Sequence, residues 1–112
     1  MMSKDWQALC LRSDLVAHSG VVAWLDGRQI ALFYLPEEEA VYAVGNRDPR
    51  SGANVIGRGI LGQMAGELVV ASPLYKQHFR LRDGSCVEQP AEQLPAWPAR
   101  LNGETVEIRL TA

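Results

Sequence analysis

The side chains best suited to bind a soft metal or act as nucleophiles are two cysteines, Cys10 and Cys86, and two histidines, His18 and His78. Metal sites announce themselves by local chelate spacing, such as C-x-x-C or H-x-x-x-H. None of these residues forms such a pair. Cys10 to His18 and His78 to Cys86 share one separation, but only a pair of hairpins would bring the four together. Without that, both cysteines read as free, buried thiols of a reducing compartment. His18 beside Asp14 or Ser19 is the nearest approach to a catalytic pair, and no nucleophile sits in a recognisable elbow. The run Glu37-Glu38-Glu39 reads as a solvated turn. Gly57-Arg58-Gly59-Ile60-Leu61-Gly62 matches G-x-G-x-x-G literally, with Asp83 downstream where a ribose-binding acid would lie. A dinucleotide site also needs a helix opening at the end of the motif, so that its N-terminus holds the pyrophosphate. Only Gln63-Met64-Ala65 follow before Gly66 and a new strand, so these glycines read as bends in a flexible loop. The chain carries no self-sufficient active site.

The elements that would position these residues are strands. Trp6 to Arg12 alternates in a strand period. Val21–Leu25 and Gln29–Leu35 are rich in β-branched and aromatic residues, and Asp26-Gly27 between them is a strong hairpin signal. Ala40–Gly45, Glu67–Ser72 and Gln77–Leu81 follow as strands, and Asp83-Gly84 turns the last back toward Ser85–Gln89. The tail places Val106, Ile108 and Leu110 inward against Glu107 and Arg109. No long segment has a helical period. The pattern predicts an all-β domain, a sandwich or partly open barrel, over residues 1–112. Two stretches interrupt the meander. Asn46–Gly66 is a long glycine-rich loop, and loops of that length are usually functional or disordered. Glu88–Arg100 carries Pro90, Pro95 and Pro98 and predicts an extended crossing segment anchored by Trp97.

The chain has 112 residues, 47% of them hydrophobic, with a formal net charge of -2. Those values suit one folded domain with one core. The absence of a basic surplus argues against nucleic-acid binding. No apolar run is long enough for a signal peptide or a membrane span, so a cytoplasmic location is expected.

Two stretches carry a family resemblance. Asp48-Pro49-Arg50-Ser51-Gly52-Ala53 resembles the first cluster box of a Rieske [2Fe–2S] domain, Cys-Pro-His-x-Gly-Ala. Ser72-Pro73-Leu74-Tyr75, then Phe79 and Leu81, Asp83-Gly84, Cys86 and Pro90, resembles the second box, which opens Cys-Pro-x-His. The resemblance implies the Rieske fold. It also places Asp48, Arg50, Ser72 and Tyr75 at the four cluster-ligand positions, where the cluster needs two thiolates and two imidazoles. The implied domain therefore has no cluster, no cofactor of its own and no metal. Asp48 with Arg50, and Ser72 with Tyr75, are expected to pair in the vacated space. Cys86 falls at a strand position, not a ligand position.

D-P-R-S-G-A-N, R-G-I-L-G and V-A-S-P-L-Y-K-Q-H-F, in that order, are similar to the small subunit of assimilatory NADH-dependent nitrite reductase over essentially the whole chain. That resemblance implies a non-redox subunit of an oxidoreductase, not catalytic alone. It implies a large-subunit partner carrying FAD, an iron–sulfur cluster and sirohaem and using NADH to reduce nitrite to ammonium. Arg47, Arg50, Arg58, Tyr75, Lys76 and His78 are the expected partner interface at the tip. The rival expectations are a Rieske-type ferredoxin, which requires a cluster, and a cluster-free scaffolding domain of another redox enzyme.

Overall fold

The computed structural model describes residues 5–110. Its strands are β1 (Gln7–Leu11), β2 (Gly20–Leu25), β3 (Arg28–Leu35), β4 (Ala40–Gly45), β5 (Ile60–Met64), β6 (Glu67–Ala71), β7 (His78–Arg80), β8 (Ala96–Trp97), β9 (Ala99–Asn102) and β10 (Thr105–Ile108). They form three antiparallel sheets, ordered β1-β10-β9, β2-β3-β4-β8 and β5-β6-β7. The only helical pieces among the described residues are short 3-10 turns at Arg12–Asp14, Pro36–Glu38 and Ile56–Arg58. None is long and apolar enough to cross a membrane.

The four-stranded sheet is the middle layer, and β3 shows why. Ile30, Ala31, Leu32 and Phe33 are all fully buried. A strand with one solvated face would alternate, whereas a run this apolar needs cover on both faces. Ala31 and Phe33 point with Val44 toward Val70, Phe79, Leu81, Cys86 and Leu94. Ile30 and Leu32 point the other way with Val41 and Ala43, onto Val106 and Ile108. Each such aliphatic or aromatic side chain contributes roughly 1.5–3 kcal/mol by burial. The Asp26-Gly27 turn forms as expected. Both residues have positive φ, 52° and 76°, which matches the right-handed twist of the β2–β3 hairpin it closes.

Three expectations change. The Asn46–Gly66 stretch is not a single flexible loop: its second half is the Ile56–Arg58 turn followed by β5, which pairs with β6 over its full length. Residues Ser85–Gln89 do turn back along β7, but the pairing is reduced to the bridge Phe79↔Cys86. A further strand, β9, begins at the end of the proline-bearing segment and runs beyond it, joined to β10 through Gly103-Glu104, with Gly103 at φ 61°. Trp97 does anchor the crossing segment, on β8 against Ala43, and packs into the second core cluster.

Candidate functional site

The two boxes are loops of the same backbone design at one end of the molecule. In the first, the Asp48 N–H donates to the Ala53 carbonyl (2.8 Å), and the Gly52 N–H donates back to the Asp48 carbonyl (2.7 Å). In the second, the Ser72 N–H donates to the Gln77 carbonyl (2.9 Å) and the Lys76 N–H to the Ser72 carbonyl (3.0 Å). The fifth residue of each loop is left-handed: Gly52 at φ 77° and Lys76 at φ 63°. Each loop thus presents its first residue, Asp48 or Ser72, inward. Both are buried, Asp48 completely.

Those two residues meet. The Ser72 hydroxyl donates to Asp48 Oδ2 at 2.5 Å. Asp48 Oδ1 accepts from Gln77 Nε2 at 3.1 Å and from the Arg50 and Ser51 N–H groups at 2.8 and 3.4 Å. A carboxylate is acceptor-only and can take several donors, and here it closes the first loop on itself as an Asx turn. Gln77 Oε1 is buried and has no hydrogen-bond partner among the described residues. Arg50 points outward: its Nε donates to Glu92 at 3.0 Å, and its guanidinium lies 5.6 Å from the Tyr75 ring centroid. The Glu92 hydrogen bond raises the Arg50 pKa above its already high ordinary value.

The expected pairings are therefore exchanged. Asp48 binds Ser72 rather than the Arg50 side chain, and Arg50 meets Tyr75 and Glu92. The reason is burial. A guanidinium can reach solvent from the loop flank, while the fully buried carboxylate takes short, neutral donors. The Tyr75 hydroxyl makes no hydrogen bond among the described residues, and the side chain is half exposed. Gln77 and Glu92 complete the network and were missed by the sequence reading. Gln77 closes the second box as its sixth residue. Glu92 lies in the proline segment, with no sequence cue to its role.

The remaining candidates stand outside this hydrogen-bonded network. Arg47 borders a pocket beside the first box, Arg58 ends the 3-10 turn, and Lys76 is exposed on the second box. His78 faces away on β7, with Nδ1 2.5 Å from Glu88 Oε2. His18 Nε2 lies 2.7 Å from Glu37, so it joins neither Ser19 nor Asp14, whose carboxylate accepts from the Leu11 N–H. Cys10 and Cys86 are free thiols, Cys86 fully enclosed in the core. Burial, followed by the nearby Asp14 charge, raises the Cys10 pKa. The G-x-G-x-x-G segment opens no helix. Gly57 donates to Asn46 and leaves no room for a Cβ beside Val22, while Gly62 sits inside β5.

Two box loops clamped face to face at the end of a three-layer β domain define a Rieske-like domain. The chain belongs to the Rieske-like [2Fe-2S] domain family, whose model matches residues 5–109. Within it, the chain is a member of the nitrite reductase small-subunit group. It is 39% identical to the nitrite reductase (NADH) small subunit of Salmonella typhimurium, over 94% of this chain and 97% of that one. A nitrite reductase small subunit from Erwinia carotovora, solved by NMR, superposes with TM-score 0.81 and 39% identity, over 99% of this chain and 85% of that one. The chain is also 45% identical to part of the nitrite reductase [NAD(P)H] large subunit of Klebsiella oxytoca, matching 95% of this chain but only 11% of that protein. The ferredoxin of a carbazole 1,9a-dioxygenase from Nocardioides aromaticivorans shares the fold, with TM-score 0.78 at 17% identity.

The residues that the resemblance puts at the four ligand positions, Asp48, Arg50, Ser72 and Tyr75, do not fit a [2Fe–2S] group. Such a group needs thiolate and imidazole donors. Here one position is a guanidinium, a permanent cation, and Asp48 already spends its oxygens on the donors named above. Among the described residues no cluster of His, Cys, Asp and Glu is arranged to hold a metal ion.

Proposed function

We propose that this chain is the small, non-redox subunit of a cytoplasmic NADH-dependent nitrite reductase serving nitrate assimilation, a single Rieske-like domain acting through association with the large subunit. The observation that carries the reading is the Asp48–Ser72–Gln77 network. Asp48 and Ser72 stand where the resemblance puts ligands, and the network joins the two boxes by hydrogen bonds. A domain so built has no means of relaying electrons and works by shape and surface. The matched segment inside the Klebsiella large subunit supports the partnership, because there a domain like this one shares a chain with the rest of the reductase. The FAD, NAD, iron–sulfur and sirohaem chemistry is assigned to the large subunit, with no cofactor in this chain. The ferredoxin reading fails on the donor set. A scaffold of some other redox enzyme has no observation in its favour.

The test is co-purification with a sirohaem-containing large subunit, with iron and acid-labile sulfide measured on this chain alone. A colourless chain that is retained by the large subunit and sustains NADH-dependent nitrite reduction is the expected result. A brown chain with stoichiometric iron and sulfide, or a colourless one with no affinity for the large subunit, overturns the reading. The tip residues are tested in the same assay. Arg50→Glu with Tyr75→Ala removes the exposed stacked pair, and unchanged retention of that double variant would exclude the tip from the docking face.

A further inference from the structure

The cations of this domain divide sharply. Arg12 is paired with Glu39, Arg50 with Glu92, Arg80 and Arg82 with Glu67, and Arg100 with Glu107, while Arg109 lies over the Trp6 ring. Among the described residues, Arg28, Arg47, Arg58 and Lys76 have no carboxylate partner. All are exposed. Arg47, Arg58 and Lys76 flank the boxes, and Arg28 begins β3 at the same end of the middle sheet. The other end of β3 runs into Glu37, Glu38 and Glu39, about 25 Å away at strand rise.

Arg28 and Arg47 also share a pocket of about 400 Å³ whose walls include Trp24 and Trp97. Trp24 is 66% exposed, the most exposed aromatic ring of the described residues that are large and apolar. The floor is rigid. Asn46 is buried, donates to Gln29 Oε1 at 2.8 Å and accepts from the Gly57 N–H at 2.7 Å. The Gly45 and Asn46 N–H groups are already spent on the Pro95 and Gln29 carbonyls. No nest of free backbone donors is left there for a phosphate. What remains is two arginines, Arg28 and Arg47, lining the pocket together with Trp24 and Trp97, the Arg47 guanidinium lying beside Gly52 of the first box. Guanidinium forks match carboxylates bidentately, and Trp with Arg is the composition of interface hot spots.

We propose that the Trp24–Arg28–Arg47–Trp97 pocket is a docking site for an acidic segment of the large subunit, an Asp or Glu seated between the arginines with an apolar neighbour on the indoles. Charge complementarity selects this occupant: Arg28 and Arg47, exposed and without a carboxylate partner among the described residues, both line this pocket. The inference rests on the assembly reading above and adds a site next to, and separate from, the Arg50–Tyr75 tip.

Binding of the purified large subunit to the immobilised chain, measured at low and high salt, tests it. Trp24→Ala with Arg28→Glu changes two exposed side chains and is expected to leave the thermal midpoint in place. That pair is expected to weaken binding by about 30-fold or more, the range of a lost hot spot, and to flatten the salt dependence. Glu38→Lys, at the acidic end, is expected to leave binding unchanged. If the parent chain binds and the pocket variant, with its melting curve intact, binds within about threefold of it, the pocket is not the docking site and the assembly reading stands. If the parent chain does not bind at all, the assembly reading itself has failed. If Glu38→Lys weakens binding as much as the pocket variant, the attraction is not localised to this pocket and the inference is overturned.

Discussion

Replacing Asp48 with alanine tests whether hydrogen bonding has taken over the task of joining the boxes. The carboxylate is fully buried and receives the Ser72 hydroxyl, the Gln77 amide and two backbone N–H groups. The Arg50 and Ser51 N–H groups lie on exposed residues, where water can replace the acceptor. The Ser72 hydroxyl and the Gln77 amide are buried and cannot be rescued that way. Gln77 already has one unpartnered oxygen. Each buried polar group left unsatisfied costs about 1–3 kcal/mol, partly offset because a charge no longer needs burying. The expected loss is about 3 kcal/mol, or roughly 12 °C in melting midpoint for a domain of this size. Asp48→Asn is the diagnostic comparison. Its Oδ1 still accepts from Gln77 and Arg50, and its Nδ2 donates to Ser72 Oγ, which reverses one bond and keeps the network. That variant is expected to lose only about 1 kcal/mol. Urea unfolding with thermal melts gives both numbers. A loss below about 1 kcal/mol for Asp48→Ala would refute the reasoning. So would an asparagine variant as unstable as the alanine one, since the negative charge rather than the bond pattern would then be decisive.

Other consequences are open to measurement. Gly84 has φ 80°, and a Cβ added there would lie 2.0 Å from the Leu94 carbonyl oxygen, whereas Gly66, at φ 79°, has open space around it. Gly84→Ala is therefore expected to cost at least about 3 kcal/mol and Gly66→Ala about 1 kcal/mol in the same urea assay. Lys76→Gly relieves a left-handed lysine and should raise the unfolding free energy by roughly 0.5–1 kcal/mol; a decrease would show that the Lys76 stem packs on the loop. Glu67 is held below the ordinary carboxylate range by Arg82 first and Arg80 second. A lowered folded pKa adds stability above the unfolded value, and that stability is lost as pH falls through the folded one. Glu67→Gln should therefore flatten the decline in melting midpoint between about pH 5 and pH 3, and an unaltered slope would exclude this ion-pair cluster as a contributor. Cys10, with its raised pKa, should alkylate more slowly than a free thiol near pH 8, and Cys86 only on unfolding.

Local pattern was enough for much of the framework. Asp26-Gly27 set a hairpin, the β-branched and aromatic run of Gln29–Leu35 marked a strand, and the two boxes were visible as loops because Pro, Gly and polar residues interrupt the strands there. β5 was not legible. Ile60-Leu61-Gly62-Gln63-Met64 has neither alternation nor β-branched density, and it is held as a strand by its ladder to β6. The turn that closes that hairpin, Ala65-Gly66, puts an alanine at φ 54°, which local preference would not select.

Residue types at the positions the resemblance assigns to ligands were readable directly: an Arg among them does not fit the thiolate and imidazole donors of a [2Fe–2S] group. Which of those residues bond to each other was not. Asp48 and Ser72 are far apart in the chain, and Arg50 and Glu92 farther still. Their meeting depends on how two loops from different sheets are brought face to face by the core between them. Burial then sorts the partners, sending the carboxylate to the short neutral donors inside and the guanidinium to Tyr75 and Glu92 at the surface. Sequence determined which donors the site offers, because that is a property of side-chain chemistry. Tertiary structure decided how those side chains pair, because desolvation and long-range packing choose among partners that are equally available in the unfolded chain.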